Sequence, residues 1–174
     1  MTTVIRRAVA ADADQLSALA NRTFIETFVE DLAIPYPKAD LDWFLGYANS
    51  PAAMAARLAD PKSAVWLAED GGEAVGYMVA GPADLARDDL EPSDGMLHRL
   101  YVVRPAQGQG LAARMMDKAL AWLTQTYSAR PWLVVFSENV RAQRFYARYG
   151  FEVCGEYDYP VGSWLDREFV MRRR

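Results

Sequence analysis

The chain has 174 residues, is 52% hydrophobic and 24% charged, and carries a net charge of −4 at pH 7 with an isoelectric point near 5.0. Those values suit one folded domain with its own core, and the acidic balance argues against nucleic-acid binding while suiting a cationic substrate. A single cysteine, Cys154, and a single histidine, His98, exclude an internal disulfide, a cysteine zinc cluster and a histidine-rich metal site, so no metal is expected.

TTVIRRAV (residues 2–9) alternates enough to be a strand. Residues 10–32 follow as a helix, with Leu16, Leu19, Ala20, Phe24 and Phe28 at helical spacing. IPYP (34–37) breaks that pattern, and 38–50 and 51–60 read as two shorter helices, Pro51 fitting a first-turn position. SAVWLAED (63–70) and EAVGYMVAG (73–81) read as strands of a hairpin joined by Gly71-Gly72. A polar loop leads to the strand MLHRLYVV (96–103). A helix begins at Leu111, with Leu111, Met115, Ala119 and Leu123 on one face. PWLVVF (131–136) is a short apolar strand, and 138–150 a helix ended by Gly150. Residues 151–160 and 163–172 close the chain as strands. The expected class is mixed α/β with an antiparallel first half. There is no signal peptide and no apolar run long enough for a bilayer, so a cytoplasmic protein with no membrane partner is expected.

The most informative stretch is RPAQGQGLAARMM (104–116). Glycines let a backbone approach a ligand closely, and the helix that follows presents unpaired N–H groups and the positive end of its dipole. That combination favours a phosphate or diphosphate, with Arg104 and Arg114 able to add charge. The alternative is a turn that needs glycine only for its geometry. Gly108, Gly110 and Ala113 also fit the loose dinucleotide pattern G-x-G-x-x-A, but about a hundred residues precede them and no acidic residue follows at the required distance. An oxidoreductase is therefore a distant reading.

Gln107-Gly108-Gln109-Gly110-Leu111-Ala112 matches Q/R-x-x-G-x-G/A, and SENVRAQRFYARYGF then supplies Asn139, Ala142, Phe145-Tyr146 and Gly150-Phe151 in order. This pair of motifs resembles the GCN5-related N-acetyltransferase (GNAT) family over roughly residues 63 to 172. ALANRTFIETFVEDL and WLDREFVM resemble, more loosely, the spermidine/spermine-acetylating branch related to bacterial PaiA proteins. The resemblance implies a mixed sheet of about seven strands flanked by helices, one domain over 1–174, a cofactor core at about 63–172 and acceptor-side helices at about 11–60. It implies acetyl-CoA as cosubstrate and direct transfer to an amine. The diphosphate would lie on the backbone N–H groups of Gln107, Gly108, Gln109, Gly110, Leu111 and Ala112. The pantetheine arm would pair with Tyr101, Val102 and Val103, a backbone N–H near Val102 polarising the thioester carbonyl. Asn139 would bind the same arm, and Tyr146 would be the general acid beside the sulfur. One departure is visible: the proline after the strand, Pro105, comes one place late, behind Arg104.

The base is left open between His98 and water. His98 titrates in the right range, and simple alternation places His98, Leu100 and Val102 on one face and Arg99 and Tyr101 on the other. Glu26 and Glu30, one helical turn apart, could with Asp31 line the acceptor end and attract a polyamine; the alternative is a solvated helix face. Trp43, Phe44 and Tyr36 read as core or lid, Cys154 as a small buried residue, Asp88–Glu91 as a solvated loop and Arg172–Arg174 as a solvated tail. The partner expected is a small amine, first a polyamine. A peptide or protein N-terminus and a non-catalytic acetyl-CoA sensor are the alternatives. Exposed sheet edges leave room for a homodimer.

Overall fold

The computed structural model describes residues 3–174. The elements follow the expected order. β1 (Val4–Arg7) leads to α1 (Ala13–Phe24), α2 (Lys38–Tyr47) and α3 (Pro51–Ala59), then to β2 (Ala64–Asp70), β3 (Glu73–Pro82) and β4 (Gly95–Val102). α4 (Leu111–Thr126), β5 (Trp132–Phe136), α5 (Val140–Ala147), β6 (Phe151–Val161) and β7 (Trp164–Arg173) complete the chain. The seven strands form one sheet in the order β1-β2-β3-β4-β5-β7-β6. Every neighbouring pair is antiparallel except β4–β5, which is parallel. The mixed seven-stranded α/β architecture is the one expected.

Helices cover both faces. α4 buries Leu111, Met115, Ala119 and Leu123, as its 3.6-residue spacing requires, against Met78, Leu97, Val102 and Leu133. α1 and α3 bury Leu16, Leu19, Ala20 and Met54 against Val65, Leu67, Tyr77 and Val79 on the other face. Each such fully buried large side chain contributes roughly 1.5–3 kcal/mol of burial free energy. A third cluster of Phe24, Phe28, Ile34, Phe44 and Val161 fastens α2 to the far end of the sheet. No helix among the described residues is long and apolar enough to cross a membrane.

Local departures have physical causes. The single helix expected over 10–32 is a short 3-10 turn, then α1, then a wide π-helical stretch over Ile25–Asp31. The wide turn keeps Phe24 and Phe28 buried, with ring centroids 4.8 Å apart, while Glu26, Glu30 and Asp31 reach the loop after β4. Cys154, expected to be buried, is exposed, because a register shift in β6 between Val153 and Gly155 leaves it as the unpaired bulge residue. Trp43 is 50% exposed and stacks on Tyr47 rather than entering the core. Arg172 is no solvated tail residue: it lies in β7 opposite Trp132, bonds buried Asp94 and sits over the Trp132 ring at 4.4 Å.

Candidate active site

The site begins where β4 and β5 stop pairing. Their parallel register holds at Met96↔Trp132 and goes no further, whereas β5 pairs with β7 along its whole length, from Trp132↔Arg172 to Phe136↔Glu168. β5 therefore leaves with β7 and opens a gap beside the C-terminal half of β4. The Val103 N–H donates to Val75 O on β3, so strand alternation turns the Val102 N–H the other way, into the gap. Gln107 reaches back and donates from Nε2 to Val102 O at 2.9 Å, tying the following turn to the strand end.

A bulge re-aims β4 just before this point. Val79 pairs with Arg99 and Ala80 with Leu97, which leaves His98 as the extra residue. The expectation from simple alternation fails for that reason. Leu100 and Val102 face the α4 core, while His98, Arg99 and Tyr101 all line one cavity on the α1 face.

Gly108 and Gly110 both have φ of +77°, in the left-handed region, and a Cβ on either would meet nothing within 4 Å. Gly110 caps α4, whose first internal bond at this end is Arg114 N–H to Gly110 O, so the N–H groups of Leu111, Ala112 and Ala113 have no helical acceptor. The turn is thus open and lined by donors. Its expected arginines are engaged elsewhere: Arg104 with Glu30 and Asp31, and Arg114 with Thr3 O. Arg141 stands beside the turn instead, donating to Gln107 Oε1 at 2.8 Å.

α5 lies across the gap. Asn139 caps it, Oδ1 accepting from the Ala142 N–H at 3.1 Å, which leaves the amide Nδ2 free to donate. Tyr146 packs edge-on to Phe145 and Phe151, and its hydroxyl has no partner among the protein hydrogen bonds of the described residues. Burial, and then the charge of Glu168, push its pKa up to about 12.

On the α1 face a cavity of about 70 Å³ is walled by β4, α1, α2 and β7; its chemistry comes from His98, Arg99, Tyr101, Tyr159, Asp166 and Glu168. Glu168 is only 8% exposed, and its Oε2 is buried without a hydrogen-bond partner. Burial, reinforced by neighbouring Asp166, pushes its pKa up to about 8. Asp166 accepts from the Tyr36 hydroxyl and, at 3.0 Å, from Trp164 Nε1; burial raises its pKa too. His98 Nε2–H donates to Pro82 O at 3.0 Å, so Nδ1 is the free basic nitrogen, and burial lowers its pKa.

A profile of the acetyltransferase (GNAT) family matches residues 21–151. The chain belongs to the GNAT acetyltransferase family. As a GNAT enzyme it is an N-acetyltransferase that draws its acyl group from a coenzyme A thioester. An uncharacterized N-acetyltransferase of Mycobacterium tuberculosis is 37% identical over 164 residues, covering 93% of this chain and 97% of that protein. The spermine/spermidine N(1)-acetyltransferase of Bacillus subtilis is 30% identical over 89 residues, 51% of this chain and 59% of that protein. The PaiA N-acetyltransferase of Thermoplasma acidophilum, solved with coenzyme A, shares the fold at TM-score 0.77 and 17% identity, over 100% of this chain and 99% of that one.

Within this GNAT frame the structure brings Tyr101, Val102, Val103, the Gln107–Ala112 turn, Asn139 and Tyr146 to the two sides of one opening. Glu26 and Glu30 stand apart from it. Glu26 Oε2 accepts the Arg104 backbone N–H at 2.8 Å and Oε1 accepts from Arg22, while Glu30 and Asp31 hold the Arg104 guanidinium at 2.8 and 2.7 Å. Neither glutamate lines the cavity. The acids that do, Asp166 and Glu168, went unnoticed in the sequence. Their signal was period two: Asp166, Glu168 and Val170 alternate with Leu165 and Arg167, so the acids share the inward face.

Proposed function

We propose that the chain moves the acetyl group of acetyl-CoA to the primary amine of a small molecule seated in this cavity. The observation that carries the reading is the opening between β4 and β5, where a free strand edge, a donor-lined glycine turn and a buried titratable cavity meet. The residues fit coenzyme A. The N–H groups from Gly108 to Ala112 suit a diphosphate, with Arg141 beside them, and the Val102 N–H on the open edge of β4 and the Asn139 amide suit the pantetheine arm. Bound acetyl-CoA would supply an acyl group activated as a thioester.

The chain's own residues supply the rest. The Val102 N–H is a fixed donor at the gap, placed for an oxygen that gains negative charge. Tyr146 holds its proton at neutral pH and so keeps it available for a leaving thiolate, whose conjugate acid has an ordinary pKa of about 8.5. Amines arrive as ammonium ions with pKa about 10.4 and must lose a proton before they attack. Glu168, held near 8, sits in the range where a general base works best at cellular pH. His98 lines the same cavity from β4, with Nδ1 facing Asp84 at 3.8 Å, and serves as the second candidate base.

A polyamine is the acceptor implied by the resemblance at the two ends of the chain and by the name of the Bacillus subtilis relative. The acidic pair on β7 supports an ammonium at that wall. Thiol release from acetyl-CoA, run with spermidine, spermine, an aminoglycoside, single amino acids, a short peptide and no amine, tests the reading. Release with a small amine is expected. Release with the peptide alone would replace the acceptor class, and no release with any acceptor, joined to no heat on titrating acetyl-CoA, would overturn the reading.

A further inference from the structure

We propose that the acceptor is a zwitterion of amino-acid type: its amine meets the acidic wall on β7, and a carboxylate of the same molecule meets Arg99, with the charge of Arg57 behind it. The inference rests on the acetyl-transfer reading and specifies its substrate. Arg99 lines the cavity, and its only partners among the described residues are neutral: Nη1 donates to Asn49 Oδ1 at 2.6 Å and to the Tyr77 hydroxyl at 3.4 Å. Its Nε and Nη2 donate to nothing among the described residues, although a guanidinium carries five N–H donors. Arg57, half-buried on α3 and outside the residues that line the cavity, makes no hydrogen bond among the described residues either, and it lies close enough to Arg99 for the two charges to repel. No ion pair among the described residues includes either arginine. Asp84, a neighbouring acid, is exposed and faces His98 instead.

A partly buried guanidinium with free donors and no anion is costly, and a second positive charge nearby adds to the need for one. The opposite wall asks for the reverse, because Glu168 Oε2 is buried without a donor. β5 lies between β4 and β7 in the sheet, two spacings of ~4.8 Å where strands pair, and the gap between β4 and β5 sets the two walls at least about 10 Å apart. A diamine would satisfy the acids and set its second ammonium against the arginines. A simple acid would satisfy the arginines and leave Glu168 Oε2 without a donor. A molecule with an amine and a carboxylate a few bonds apart satisfies both walls.

The experiment compares matched pairs: lysine with cadaverine, and γ-aminobutyrate with propylamine, each with acetyl-CoA and wild-type enzyme. The carboxylate-bearing member is expected to show the higher kcat/KM, by about tenfold or more, since a charge-assisted hydrogen bond discriminates on that scale. Arg57→Ala should shrink that ratio toward one, mainly by raising KM for the amino acid, and Arg57→Lys should restore part of it. Arg99→Lys is the second variant, accepted only if its circular dichroism matches wild type. Turnover that ignores the carboxylate, or favours the amine, overturns the inference and leaves acetyl transfer standing. If neither member turns over, calorimetric titration of the amino acid decides: heat that Arg57→Ala abolishes supports the site, and no heat overturns it.

Discussion

One pair of parallel strands behaves in opposite ways at its two ends. At the start of β4 and β5 the chain is locked. Buried Asp94, 3% exposed, accepts from Trp132 Nε1 at 2.9 Å, from the Glu91 N–H at 3.0 Å and from Arg172 Nη2 at 3.2 Å, while Arg172 and Arg87 both lie over the Trp132 ring, at 4.4 and 5.1 Å. At the far end no such clasp exists among the described residues. β4 bulges at His98 and ends in an open edge, Glu168 Oε2 is buried without a partner, and the half-buried Tyr146 hydroxyl has no partner among the protein hydrogen bonds of the described residues. The locked end engages its carboxylate with donors from three sides and gains rigidity; the open end leaves donors and acceptors for a ligand. The opening exists because the clasp holds one end of the strands while β7 carries β5 away at the other.

The largest expected effects lie at the open end. Tyr146→Phe should lower kcat by about 10²–10⁴, the range for removing a general acid, while acetyl-CoA binding by calorimetry stays within a few-fold. A smaller loss would reassign the acid. Glu168→Gln should remove the limb of the pH–rate profile that rises through about pH 8; if the limb survives there and vanishes in His98→Ala, His98 is the base. Stability offers a second readout. A carboxyl whose folded pKa is raised binds its proton more tightly in the folded state. Its contribution is therefore full below the unfolded value near 4.3 and is lost as pH rises through about 8. Wild type should lose up to roughly 5 kcal/mol against Glu168→Gln across that window, since each tenfold difference in proton affinity between the folded and unfolded states is worth about 1.4 kcal/mol. Denaturant melts at pH 5 and pH 8.5 measure it, and parallel slopes for the two proteins would remove Glu168 from its assigned state.

The locked end is tested by stability alone. Asp94→Ala leaves the Trp132 N–H and the Arg172 guanidinium without their buried acceptor, and breaking such a pair from one side destabilises by about 3–5 kcal/mol. Urea melts should show that loss. Asp94→Asn keeps an acceptor and should fall between the two. An Asp94→Ala protein as stable as wild type would mean that the strands are held together by packing, and the contrast between the two ends would lose its cause.

The sequence carried the element order and the glycine turn because both rest on local signals: periodicity, breakers, and glycines ahead of an amphipathic helix. It carried less of the cavity, whose residues meet only through the sheet. Asp166 and Glu168 lie on β7 and Arg99 on β4, strands separated by β5 in space and by some seventy residues in the chain. The face of His98 depended on a bulge that alternation alone cannot place. Glu26 and Glu30 show the converse: helical spacing grouped them correctly, and nothing local revealed that Arg104, across the molecule, would take them up.

That last pair sets the smallest expected effect and the sharpest check on the acceptor site. Glu30 is half exposed and shares Arg104 with Asp31, so Glu30→Gln removes one arm of a doubled, solvent-screened ion pair. Asp31 remains to hold the guanidinium, and the Arg104 backbone N–H remains with Glu26. KM for the amine should then stay within about twofold and change little with added salt. An acceptor-binding role predicts otherwise, because a carboxylate that attracts an ammonium raises KM when it is neutralised, and the rise grows as ionic strength falls. Measuring KM for Glu30→Gln at low and high salt therefore separates a clamp on the loop after β4 from a wall of the acceptor site. A salt-dependent rise would extend the open end of the molecule past the cavity to the π-helical turn.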